Sequence, residues 1–120
     1  MADHNEIGKK GEALAQRFLQ ERGYKLLATN WRFQRAEIDI IAETEEVLVV
    51  VEVKTRTSLI YENPKEAVTK TKQKQLVKAA DAYLQEHAID KECRFDIVSV
   101  IINKDEPTIE HLMDAFYPLL

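Results

Sequence analysis

Glu52, Val53 and Lys54 stand at the end of the most hydrophobic run in the chain, Val47-Leu48-Val49-Val50-Val51. Such a run reads as a strand buried on both faces. A carboxylate and an ammonium two residues apart at its end need partners, because burying an unpaired charge is costly. Just upstream, Glu37-Ile38-Asp39-Ile40-Ile41 carries two more acids. Side chains alternate along a strand, so Glu37 and Asp39 are expected on one face, and Glu52 and Lys54 on one face. The intervening turn decides whether the two pairs meet. With a Glu45-Glu46 loop Asp39 lies opposite Glu52; with a loop from Glu43 to Glu46 it lies opposite Val50. Either even loop gathers all four side chains on one face, and an odd loop separates them.

Two carboxylates at that distance repel unless a cation or a proton lies between them. Hard divalent ions such as Mg²⁺ take oxygen ligands and are held by one or two carboxylates with phosphate and water. Lys54 would face the phosphate, stabilising charge on its oxygens or orienting the attacking water. Glu12, at the edge of the apolar stripe of the first helix, can lean over the sheet and complete the set. The reaction class is metal-assisted phosphodiester hydrolysis. The plainer reading is an ordinary Glu52–Lys54 ion pair, with Glu37 and Asp39 on the solvated face of an edge strand and Glu12 an acid near a helix N-terminus.

These residues need a scaffold. Ile7, Leu14 and Phe18, widened by Ala15 and Leu19, predict an amphipathic helix over Asn5 to Arg22, with Gly23 as its left-handed cap. Gly8 and Gly11 each cost a helix interior about 1 kcal/mol relative to Ala, and close approach to the sheet is the expected compensation. Strands follow over Tyr24 to Arg32, Ala36 to Glu43 and Val47 to Arg56, then a loop from Thr57 to Asn63. Asn63-Pro64-Lys65-Glu66 has the signature of an N-cap, a first-turn proline and a capping glutamate. Leu76, Ala80, Tyr83, Leu84 and His87 give a second helix from about Thr69 to Glu86. Strands over Phe95 to Ile102 and Thr108 to Leu112 complete an α-β-β-β-α-β-β order, a mixed α/β domain.

Lys70, Lys74 and Lys78 recur at i, i+4 and read as a solvated outer stripe. Lys72 and Gln73 differ, falling on the packed side one turn before Leu76. They are expected to look back toward the sheet from the helix N-terminus, where phosphate binding is favoured.

At 120 residues, 45% apolar and 32% charged, residues 1–120 form a single globular domain. A net charge of −4 argues against a protein that coats nucleic acid non-specifically. It also hides a local basic patch. Between Lys54 and Lys78, Lys54, Arg56, Lys65, Lys70, Lys72, Lys74 and Lys78 face only Glu62 and Glu66. No stretch is apolar enough to span a membrane, and the N-terminus does not read as a signal peptide. Cys93 is the only cysteine, which excludes an internal disulfide and fits a reducing cytoplasm.

The same residues carry a resemblance. Gly11-Glu12, Asn30-Trp31-Arg32, Ala36-Glu37-Ile38-Asp39, Val51-Glu52-Val53-Lys54-Thr55-Arg56, Ala67-Val68-Thr69 with Lys72, and Arg94-Phe95-Asp96 occur in the order found in the YraN-like family. That bacterial family resembles a branch of the PD-(D/E)XK nuclease superfamily, closest to archaeal Holliday-junction resolvases. The resemblance implies a mixed β-sheet flanked by helices, the αβββαβ restriction-endonuclease-like core. It also implies Mg²⁺- or Mn²⁺-dependent endonuclease action on DNA, branched DNA included, and a homodimer, because cutting a junction symmetrically needs two sites. By the same resemblance Asp39 and Glu52 are metal ligands, with the Val53 carbonyl as a third. Lys54 is the catalytic lysine and Glu12 the helix-borne acid, with Glu37 a neighbouring acid. The expected nucleic-acid contacts are Lys72 and Gln73, from their place on the second helix, and Arg56. Ala36 replaces a usual glycine, Glu62 a frequent loop glycine, and Asp114 a usual asparagine. The alternatives are a nucleic-acid-binding module without turnover, and a protein-interaction domain whose acidic hairpin contacts another protein.

Overall fold

The computed structural model describes residues 4–57 and 68–116. Helix α1 (His4–Glu21) leads into β1 (Lys25–Phe33), β2 (Ala36–Glu43) and β3 (Val47–Thr57). Helix α2 (Lys70–Glu86) then leads into β4 (Glu92–Ile102) and β5 (Thr108–Leu112). The order is the one read from the sequence. The strands form one five-stranded sheet, β1-β2-β3-β4-β5. β3 and β4 pair in parallel from Val47↔Glu92 to Thr57↔Ile102, and the other neighbours are antiparallel. A parallel neighbour requires a crossover connection, and α2 lies within it.

The continuous hydrophobic run in β3 follows from its central position. Leu48 and Val50 pack with Leu76, Ala79, Ala80 and Tyr83 of α2. Val49 and Val51 turn the other way, toward Ala15 and Leu19 of α1. Each face of the strand is thus covered by one helix.

Gly11 brings α1 down onto the sheet. A Cβ at this position would overlap the Thr55 hydroxyl and lie 2.6 Å from the Thr55 Cβ. Gly8 does not share this role, because nothing lies within 4 Å of a Cβ built there. Gly23, with φ of 88°, ends the helix as expected, and Tyr24 N–H donates to Leu19 O.

Strict alternation fails in β1 at a bulge between Leu26 and Ala28, and again further along in both β1 and β2. Ile38 packs on the α2 side and Ile40 on the α1 side, although they are two residues apart. In β1, Asn30 takes a left-handed φ of 49°, and its neighbour Trp31 packs edge-on against Tyr83 of α2. The β1–β2 ribbon therefore turns over at Asn30 and Asp39. The alternation that was expected to put Glu37 and Asp39 on one face is therefore broken between them.

Thr69 is the N-cap of α2, its hydroxyl accepting from Lys72 N–H at 3.1 Å. The capping signature at Asn63-Pro64-Lys65-Glu66 lies outside the described residues. Ala36 is not among the positive-φ residues, so its backbone makes no demand for glycine; the left-handed residue of that hairpin is Gln34, φ 55°. Among the described residues no helix is long and apolar enough to cross a membrane.

Candidate active site

The hairpin adopts the two-residue loop. Thr44 N–H donates to Val47 O, and the β2–β3 register runs from Glu43↔Leu48 to Ile40↔Val51. One step further, Asp39 lies opposite Glu52. The ladder stops there. By its alternation the next bonded pair would join Ile38 and Val53. Instead Val53 N–H donates to the Asp39 carboxylate, Oδ2, at 2.8 Å. The two strands fork at the acids, while β3 remains paired to β4 as far as Thr57.

Glu52 is 5% exposed. Its Oε1 accepts from Lys72 Nζ at 2.9 Å and faces Lys54 Nζ at 3.9 Å. Its Oε2 is buried with no hydrogen-bond partner among the described residues. Burial, then the Glu52 charge, pushes the Asp39 pKa up to about 8, with Glu12 adding to the rise and the Val53 N–H opposing it. Burial, then the Lys72 ammonium, holds the Lys54 pKa below that of an ordinary lysine. Burial would lower the Lys72 pKa too, but its hydrogen bond to Glu52 and the Glu52 charge raise it.

Glu12 is held over the sheet by Asn30. The Asn30 amide donates to Glu12 at 3.4 Å and to Glu37 at 3.2 Å, and Glu37 is paired with Arg32 Nε at 3.0 Å. Asp39 and Glu52 line a cavity of about 420 Å³, together with Glu37, the tip of the β1–β2 hairpin at Arg35, and the start of α2 at Thr69, Thr71 and Lys72. The N-terminus of α2 thus opens on the acids, where its free N–H groups favour an anion.

A hard divalent cation fits this donor set. It takes oxygen ligands, and the site brings together two carboxyl groups, with one Glu52 oxygen lacking a partner among the described residues. No cluster of three His, Cys, Asp or Glu residues suited to a metal occurs among the described residues. Backbone, water or phosphate oxygens would fill the remaining positions, as is usual for Mg²⁺.

The other sequence candidates fall around this centre. The Val53 side chain packs in the α1-side core, and its N–H is committed to Asp39. The Gln73 amide donates to Val68 O at 3.1 Å and fixes the lead-in to α2. Arg56 lies two residues beyond Lys54, half-buried near the end of β3. The residues that the sequence did not single out are Arg35, Thr71 and Gln75, which line the cavity. Gln75 had a signal, standing three residues after Lys72 on the same side of α2.

A second buried charge serves architecture. Asp96, fully buried, accepts from Arg94 Nε and Nη2 at 2.9 and 2.8 Å, from His111 Nε2 at 2.7 Å and from Asp114 N–H at 2.9 Å. Arg94 also donates to the Tyr24 hydroxyl at 2.8 Å. Burial would raise the Asp96 pKa, but His111, Arg94 and the Asp114 N–H together bring it below the usual carboxylate value. Asp114 has φ of 53°, a conformation that Asp and Asn both tolerate.

Residues 11–100 match the family described as Uncharacterised protein family UPF0102. A UPF0102 protein of Flavobacterium psychrophilum is 51% identical over 117 residues, covering 98% of each chain. One from Bacteroides thetaiotaomicron is 48% identical over 120 residues, covering 100% of this chain and 99% of its own. A third, from Porphyromonas gingivalis, is 45% identical over 122 residues, covering 100% of this chain and 90% of its own.

Proposed function

The chain belongs to the UPF0102 family, and on that premise we propose that it is a metal-dependent endonuclease-like hydrolase of DNA phosphodiesters, branched DNA included. The observation that carries this reading is the buried Glu52 Oε2, without a hydrogen-bond partner among the described residues, in a cavity that Glu52 and Asp39 line together. The resemblance to PD-(D/E)XK nucleases, and to Holliday-junction resolvases among them, supports it. The five-stranded mixed sheet with a helix on each face is consistent with that core.

Asp39 and Glu52 are the carboxylates that would hold Mg²⁺ or Mn²⁺, with the Val53 carbonyl as the third ligand the resemblance implies. The bound cation would neutralise phosphate charge and lower the pKa of a water ligand. Lys54, its pKa held below that of an ordinary lysine, would orient an attacking water and exchange a proton with it. Lys72 and the first turn of α2 would hold the phosphate. Glu12, kept in place by Asn30, adds negative charge that favours a cation near Asp39. The resolvase analogy brings a homodimer with it, and the lone half-buried Cys93 suits the cytoplasm.

The test is incubation with a labelled four-way junction and a matched duplex in Mg²⁺, Mn²⁺ or chelator. Metal-dependent cutting that disappears in Glu52→Ala and Lys54→Ala is the expected result. One observation favours a second reading, a nucleic-acid-binding module without turnover. Lys72 already neutralises Glu52 at 2.9 Å, so the pocket is balanced without a cation. Junction binding with no cutting in either metal would select the module.

A further inference from the structure

The acidic cavity is one end of a longer trough. It adjoins a cavity of about 240 Å³ through shared walls at Arg35, Ala36 and Gln75. That cavity in turn shares Phe33, Gln34 and Lys78 with a third of about 500 Å³, which extends along α2 to Gln85. One wall is the tip of the β1–β2 hairpin and the other the outer side of α2. From Lys72 to Gln85 the helix rises about 20 Å, about six nucleotides at the stacked spacing of one DNA strand.

The lining suits nucleic acid. Arg35 and Lys78 are exposed and have no ion pair among the described residues. Gln34, Gln75 and Gln85 offer amides that can donate or accept. Among the described lining residues Asp81 is the only acid beyond the acidic cavity, and it accepts from the Gln85 amide at 2.9 Å. Phe33 is half-exposed, with its ring parallel to Trp31 at 6.2 Å. A flat aromatic ring beside cationic side chains is how single strands are held, and only an unpaired base has a free face to stack on it. The hairpin tip also departs from ordinary turn chemistry. Gln34 occupies a left-handed position that glycine would fill without strain, and it is a wall of the trough.

We propose that this trough holds a single, unpaired nucleic-acid strand leading away from the acidic cavity, with one base stacked on Phe33. The inference rests on the nuclease reading of that cavity and narrows it. The substrate carries a tail, flap or open branch beside the bond that is cut, and a continuous duplex does not fill the site.

Fluorescence anisotropy in chelator, with a fluorescein-labelled blunt duplex and the same duplex carrying an oligothymidine tail of either polarity, tests this without cleavage. The tailed duplex should bind more tightly than the blunt one. Phe33→Ala should weaken tailed binding by about tenfold, the scale of one lost base stack, and leave blunt binding unchanged. Lys78→Glu, at an exposed position that does not endanger the fold, should likewise reduce binding of the tailed form selectively. Equal affinity for the two duplexes, or equal losses on both in the variants, overturns the inference. Tail preference that depends on Phe33, with no cutting in Mg²⁺ or Mn²⁺, would leave the trough standing and sink the nuclease reading. Cutting of blunt duplex without tail preference would do the reverse.

Discussion

Lys72 Nζ lies 2.9 Å from Glu52 Oε1, so the first turn of α2 is tied to the central strand by an ion pair whose acid is buried. Lys54, at 3.9 Å, is the second cation facing that oxygen. Removing Lys72 leaves Glu52 desolvated with the weaker partner alone. Lys72→Ala should therefore lower stability by about 1–3 kcal/mol in urea unfolding, less than a fully buried pair because Lys72 is partly exposed. Glu52→Gln should cost less than Lys72→Ala, since it removes the buried charge itself. The reverse ranking would refute this account.

Manganese should raise the melting temperature of the wild type and not that of Asp39→Ala or Glu52→Ala. Ligand at a hundredfold excess over its dissociation constant stabilises by about 2.7 kcal/mol, worth several degrees in a differential scanning measurement. A shift retained in both variants would move the metal elsewhere.

The two helical glycines should respond in opposite directions. Gly11→Ala places a methyl on Thr55 and should destabilise by about 1–3 kcal/mol. Gly8→Ala meets open space and should stabilise by up to about 1 kcal/mol. Thermal unfolding of the pair decides it.

Asp96 should govern part of the acid stability. Its folded pKa lies below the ordinary aspartate value of 3.8, so the folded chain releases this proton more readily than the unfolded one. The resulting stabilisation is complete above about pH 4 and is lost as pH falls through the folded value. Asp96→Asn should cost about 2–4 kcal/mol at neutral pH and flatten the acid limb of the stability curve. Urea unfolding from neutral pH downward gives both quantities.

Cys93 should be slow to alkylate in the native protein, because burial, then the Asp96 charge, pushes its thiol up to about 12. Iodoacetamide at neutral pH should modify it quickly only in denaturant. Fast native labelling would contradict the burial.

Much of the centre was legible because it rests on parity. A two-residue loop at Glu45-Glu46 fixes Asp39 opposite Glu52 whatever the rest of the chain does. Close helix approach was likewise written in Gly11. The turnover at Asn30 and Asp39 was not, because it takes matched distortions in two neighbouring strands and neither one alone carries a signal. The bond of the Gln73 amide to the Val68 carbonyl was not legible either, because helical position does not reveal such a local contact. The Asp96 cluster draws donors from Arg94, His111 and Asp114, with Tyr24 accepting from Arg94, and only the finished sheet brings them together. Arg35 looked like any exposed turn residue until the hairpin tip met α2.

The fork between β2 and β3 has a mechanical meaning. The spacing of Asp39 and Glu52 is held by one side-chain bond to Val53, beyond the last rung of the ladder. Load on the sheet is carried elsewhere, by the unbroken β3–β4 seam. The gap between the acids can therefore widen or narrow like the jaws of a clothes-peg while its spring stays intact. Substitutions at the fork should change the gap between the acids without loosening the domain.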